Sequence, residues 1–174
     1  MKLTDVGNSP ATASLKLVAG SSVKNTIDDI ITNGDNLGLK TETAVRDILE
    51  SQNYTWIDAK YGSNNGYDGL FIKGTNENPT EIIIVESKQF KYSNNKAGDL
   101  IEHSGVSLSP PSTTTPLPAQ MSDEWVRYVA RKLDKAGKTD IADMVLDNPG
   151  LIKKYVSAVD KVEGEINFLK LGNY

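Results

Sequence analysis

Asp68, Glu86 and Lys88 are residues whose types and spacing could do chemistry. Asp68 stands ahead of the apolar run Leu70-Phe71-Ile72, and Glu86-Ser87-Lys88 follows the run Ile82-Ile83-Ile84-Val85. A polar segment with Gly, Asn and Pro joins the two runs, which is the pattern of a β-hairpin with a long loop. Side chains alternate faces along a strand, so Glu86 and Lys88 point one way and Ser87 the other. Antiparallel pairing lays the start of one strand beside the end of the other and sets Asp68 against Glu86. Two carboxylates and an ammonium then meet at one edge of an apolar sheet, where unpaired charge is costly. One arrangement that suits them is a salt bridge of Lys88 with either acid, at a strand end open to water. The other is a divalent-metal site on Asp68 and Glu86. Two carboxylates fit a hard cation such as Mg²⁺, with Mn²⁺ or Zn²⁺ as alternatives, because such an ion keeps several waters and accepts a substrate phosphate. A bound water is then the nucleophile, and the ion and the lysine offset charge growing on the phosphate.

Composition closes off other chemistries. The chain has 174 residues, no cysteine and one histidine, His103. Zinc-thiolate sites, disulfides and thiol nucleophiles are therefore excluded together, as is a two-histidine acid/base ribonuclease. His103 lies in a polar stretch with no nucleophile-elbow pattern nearby, so carboxylates and lysine are left to do the work. An apolar content of 38% and a charged content of 24% describe a folded soluble domain. No apolar run approaches the length needed to span a bilayer, and the first residues have no apolar core of a signal peptide. The net charge of −4 counts against a nonspecific nucleic-acid binder. Basic residues are nevertheless grouped: Lys88, Lys91 and Lys96 follow the second strand, and Arg127, Arg131, Lys132, Lys135 and Lys138 crowd one later segment. Such a rim can face phosphates on an acidic protein.

The elements that must position these groups follow in order. Residues 1–37 are rich in Ser, Thr, Asn and Gly and read as a leader, with a short amphipathic helix on Val23, Ile27, Ile30 and Ile31. Residues 38–174 read as the domain proper. A helix is expected from Leu39 to about Gln52, with Thr41 as cap and Val45, Ile48 and Leu49 as its apolar stripe. Glu42 shares that stripe and points toward the core and the acidic pair. Tyr54 to Ile57 is a first strand, and Ser63 to Gly66 turns the chain into the hairpin. The proline-rich stretch from Gln89 to Ala119 is a long loop. Ser122 caps a helix whose Trp125, Val129 and Leu133 recur at spacing four and whose Arg127, Arg131 and Lys135 fall on another line. Trp125 is expected to pack rather than to stack on a base. A further helix spans Thr139 to Leu146, and two strands flank a turn at Glu163-Gly164.

Helix, three strands, helix and strand, with Tyr67-Asp68 and Glu86-Ser87-Lys88 on the second and third strands, resembles the PD-(D/E)xK nuclease superfamily. Tyr67 stands where the pattern has proline. A second match, Gln120-Met121-Ser122-Asp123-Glu124-Trp125, resembles the start of a helix in nuclease domains at the C-termini of bacterial polymorphic toxins, including those of contact-dependent growth inhibition. The resemblance implies an α/β (α+β) fold with a restriction-endonuclease-like core, a central mixed sheet flanked by helices. It implies that Asp68 and Glu86 bind metal, that Lys88 orients or activates water, and that Glu42 and Gln120 stand beside them. It further implies secretion as part of a larger toxin that acts in the cytoplasm of a target cell, with a cognate immunity protein as partner.

Two functions are therefore carried forward. The first is a metal-dependent nuclease toxin cutting nucleic acid, DNA slightly ahead of transfer RNA, with Lys91, Arg127 and Arg131 contacting substrate. The other is a non-catalytic acidic binding module of the same fold, such as an immunity partner. A module of that kind has no use for an ammonium two residues from an acid at the end of an apolar strand.

Overall fold

The computed structural model describes residues 2–4, 12–16, 21–36, 38–88, 118–161 and 164–171. In chain order the elements are strands β1 (Lys2–Thr4) and β2 (Thr12–Lys16), and helices α1 (Ser21–Asn33) and α2 (Leu39–Ser51). Then come β3 (Thr55–Ile57), β4 (Lys60–Tyr61), β5 (Asn65–Gly66), β6 (Gly69–Gly74) and β7 (Pro79–Lys88). Helices α3 (Asp123–Lys135) and α4 (Thr139–Asp147), a 3-10 turn at Pro149–Leu151, and strands β8 (Ile152–Asp160) and β9 (Glu165–Leu171) complete the series. Seven strands form one sheet in the order β1-β2-β9-β8-β7-β6-β3, and β4 pairs with β5 apart from it. Strands β7 and β8 run parallel, while the other neighbours in that sheet are antiparallel. The result is an α+β fold with a mixed central sheet flanked by helices.

Alternation along β6 and β7 decides which helix packs where. Leu70, Ile72, Ile82 and Ile84 face Val126, Val129, Ala130 and Leu133 of α3 and Ile141, Ala142, Met144 and Val145 of α4. Phe71, Ile83 and Val85 point the other way, into a second core built with Val23, Ile27 and Ile30 of α1 and Ala44, Val45, Ile48 and Leu49 of α2. Both faces of the central strands are thus buried, which is why these runs are continuously apolar.

Several expectations are refined. The N-terminal segment contributes to both layers: β2 pairs with β9 through Ser14 to Lys16, and α1 supplies three core side chains. Its sheet partners, Asn167 to Leu169, lie on the second of the two strands expected around the Glu163-Gly164 turn; the pairing itself joins segments far apart in sequence, and no local pattern announces it. Ile31, expected on the apolar stripe of α1, is exposed, because it lies about 100° around the helix from Ile30. Thr41 does not cap α2. Asp35 does that from outside the helix, accepting from the backbone N–H of Lys40 and of Thr41 and from the Thr41 hydroxyl. Ser122 caps α3, its hydroxyl accepting from the Trp125 N–H at 3.1 Å. Leu151 ends the 3-10 turn, and β8 begins at Ile152.

An ion pair that the sequence does not announce ties α3 to the sheet. Lys154 of β8 is 2% exposed, and its ammonium lies 2.6 Å from the Asp123 carboxylate at the start of α3. Removing one partner of a buried pair strands the other charge. Asp123→Ala is therefore expected to cost about 2 kcal/mol, below the usual range for buried pairs because the carboxylate is itself half-exposed. Lys154→Met removes the buried charge along with the pair and should stay within about 1 kcal/mol of wild type. Urea denaturation of both variants checks this, and equal losses would contradict it.

Candidate active site

The acidic pair is built by strand register. Gly69 is opposite Val85 and Leu70 opposite Ile84, so the next rung outward sets Asp68 against Glu86. Asp68 is fixed at both oxygens: Oδ2 accepts the Ser87 backbone N–H at 3.0 Å, and Oδ1 accepts from the Lys60 ammonium at 2.7 Å. Its predecessor, Tyr67, is 1% exposed, donates its hydroxyl to the Val126 carbonyl at 2.7 Å, and meets the Trp125 ring edge-on at 5.6 Å between centroids. Tyr67 thereby anchors the start of β6, and Asp68 with it, to α3. Burial raises the Tyr67 hydroxyl well above its ordinary pKa, so it remains a neutral donor.

Glu86 is 5% exposed, and the Gln120 side-chain amide donates to its Oε1 at 2.5 Å. Gln120 reaches it because of the next residue. Met121 holds a left-handed backbone, φ 64°, and its side chain is completely buried in the core beneath α3. That conformation costs a non-glycine residue about 1–3 kcal/mol, which burial of the thioether offsets. It turns Gln120 toward Glu86 while Met121 fills the core. Behind the pair, on the opposite face of the sheet, the Ser87 and Ser157 hydroxyls meet at 3.0 Å and join β7 to β8.

Glu42 approaches from α2. Its Oε1 lies 3.8 Å from the Lys60 ammonium, so one lysine links Glu42 to Asp68. Burial pushes the Glu42 carboxyl up, with Lys60 opposing the shift and Asp68 adding to it. Lys60 itself stands on the β4–β5 hairpin opposite Gly66. The preceding loop is held by Lys138, whose ammonium donates to the Asp58 carbonyl at 2.9 Å and to its carboxylate at 2.8 Å. That contact holds the Asp58 carboxyl below its usual range. A groove of about 390 Å³ opens from Asp68, lined by Glu42, Arg46, Trp56, Lys60 and Asn64. In it the Arg46 guanidinium lies 4.3 Å above the Trp56 ring and bonds Glu50 at 3.1 Å.

The remaining expected residues are placed unevenly. Lys88 occupies the register position two beyond Glu86, paired with Ala158, and its side chain lies outside the described residues. Lys91, His103 and the stretch from Gln89 to Leu117 also lie outside them. Arg127 and Arg131 are on the exposed face of α3, where Arg127 sits 3.6 Å from Glu124. Trp125 is half-buried and packs on the core, while Val126 is buried on the α3 face. Lys60 was not indicated by the sequence, and Met121 stood only as part of the Gln120-to-Trp125 match, with no role of its own. The turn residues Gly62, Ser63 and Asn64 are the one signal of the hairpin that carries Lys60.

Among the described residues no three or more Asp, Glu or His side chains gather closely enough to hold an ion by themselves. Two carboxylates suffice for an ion that keeps its waters and takes a substrate phosphate. Asp68 and Glu86 supply them. A carboxylate oxygen that already accepts one hydrogen bond retains a second lone pair. The ammonium at Asp68 also shows that positive charge is stable at this place. The donor set therefore fits a hard divalent cation. No helix among the described residues is long and apolar enough to cross a membrane. The chain matches no family model, no curated protein and no solved structure.

Proposed function

We propose that this chain is a metal-dependent phosphodiesterase with a restriction-endonuclease-like core of the PD-(D/E)xK kind, the nuclease part of a larger bacterial toxin. The observation that carries the reading is Asp68 opposed to Glu86 across the β6–β7 register, with Gln120 bonded to Glu86. The order α2, β3, β6, β7, α3, β8 supports it, being the helix, three strands, helix and strand of the resemblance. Asp68 and Glu86 would hold the ion. When bound, the ion supplies a Lewis acid for the phosphate and lowers the pKa of a water. Gln120 orients the Glu86 carboxylate, and Tyr67 and the Ser87 N–H orient Asp68. Lys88, two residues beyond Glu86 on the strand, is assigned the attacking water. Arg127 and Arg131, with Lys91, are assigned backbone phosphates, and DNA is favoured over transfer RNA. Delivery into a neighbouring bacterium and a cognate immunity protein belong to the same reading.

Purified protein incubated with plasmid and with total RNA, in Mg²⁺, Mn²⁺ or Zn²⁺ and then with chelator, tests the proposal. Cleavage that needs the ion is expected, and calorimetry should register ion binding by wild type that Asp68→Ala loses. A wild type that neither binds an ion nor cuts either substrate would favour the acidic binding module.

A further inference from the structure

We infer that Lys60 is the resident cation of this site: it holds the Asp68 carboxylate in the ion-free protein and turns to a substrate phosphate once a divalent ion displaces it. The inference rests on the nuclease reading and adds to it a residue that the sequence motif does not contain. Lys60 lies 2.7 Å from Asp68 Oδ1 and 3.8 Å from Glu42 Oε1. All three side chains are about one-fifth exposed, so water screens them only partly. Like charges brought this close repel strongly at a site that water screens only partly. An ion arriving at Asp68 therefore cannot leave the ammonium where it is. A lysine has a flexible stem and rotatable donors, and this one borders the groove that opens from Asp68. Arg46, the other cation among the described residues that line the groove, is already committed to Glu50 and the Trp56 ring. Lys60 is thus the ammonium that ion entry frees, beside the space a nucleic-acid strand would use.

The test compares wild type with Lys60→Met and Lys60→Arg. Calorimetry with Mn²⁺ should show Lys60→Met binding the ion about tenfold tighter or more, and Lys60→Arg staying close to wild type, because it retains the charge. Binding of a labelled DNA duplex in Ca²⁺ should be weaker for Lys60→Met, with a salt dependence flatter by about one phosphate contact. In wild type, acylation of the Lys60 amine, read by mass spectrometry, should speed up on saturation with Mn²⁺ and slow again when duplex is added. A folded Lys60→Met that binds Mn²⁺ no tighter than wild type, or binds duplex as well, overturns the inference. Should Lys60→Met not fold, acylation of wild-type Lys60 that is indifferent to Mn²⁺ overturns it. The two readings fail differently. A wild type that neither binds Mn²⁺ nor cuts ends both, whereas one that does both while Lys60→Met matches its Mn²⁺ affinity ends the Lys60 role alone.

Discussion

Glu86→Gln is expected to lower nucleic-acid cleavage by on the order of 10³-fold while leaving the fold intact. The substitution keeps side-chain volume, and a glutamine carbonyl oxygen can still accept from the Gln120 amide that now bonds Oε1. What it removes is one negative charge from a nearly buried group that faces Asp68 across the strand pair. Without metal that charge is repelled by Asp68, so the melting temperature of the ion-free protein should stay level or rise slightly. In the proposed metal site it would be one of two carboxylate ligands, so calorimetric ion binding should weaken sharply. A loss of several degrees in melting temperature would show that Glu86 holds the fold together instead, and would return the cluster to a structural ion pair. Cleavage kinetics, ion titration and a thermal melt on the same preparation separate these outcomes.

The parts of this site that could be read from sequence are those made by short-range repetition. The β6–β7 hairpin was legible because two apolar runs flank a polar turn, and its register then follows from alternation. Helices α2 and α3 were legible from stripes at spacings of three and four, and Glu42 from its place on one of them. The residues that escaped depend on contacts between distant segments. Lys60 sits on a two-residue strand, too short to show any alternation. Lys154 and Asp123 meet only because β8 returns parallel to β7 and passes under the start of α3. Asp35 caps a helix that begins four residues later, with a backbone turn in between that its side chain must bridge. The backbone of Met121 escaped for a different reason. Nothing in its chemistry favours a left-handed backbone, and tertiary burial imposes it.

Gly66→Ala is expected to be among the most damaging single-methyl additions at the described glycines, costing about 3 kcal/mol or more. Gly66 has φ 128°, a region nearly closed to residues with a Cβ, and an added Cβ would lie 2.1 Å from the Ala59 carbonyl oxygen. No flexible side chain stands at that contact to move aside, so the backbone of the β4–β5 hairpin must shift. Gly66 pairs with Lys60, and the next residue, Tyr67, donates its N–H to that same Ala59 carbonyl. The shift therefore reaches Lys60 and Asp68 together, and cleavage should fall along with stability. Gly62, in the turn of the same hairpin, supplies the control. Its φ is 55°, and an added Cβ would meet only the Asn65 side chain, at 3.7 Å. Gly62→Ala should therefore cost about 1 kcal/mol and leave cleavage near the wild-type rate. Urea denaturation measures the two costs, and a Gly66→Ala protein as stable as Gly62→Ala would mean that the hairpin does not hold Lys60 and Asp68 in place.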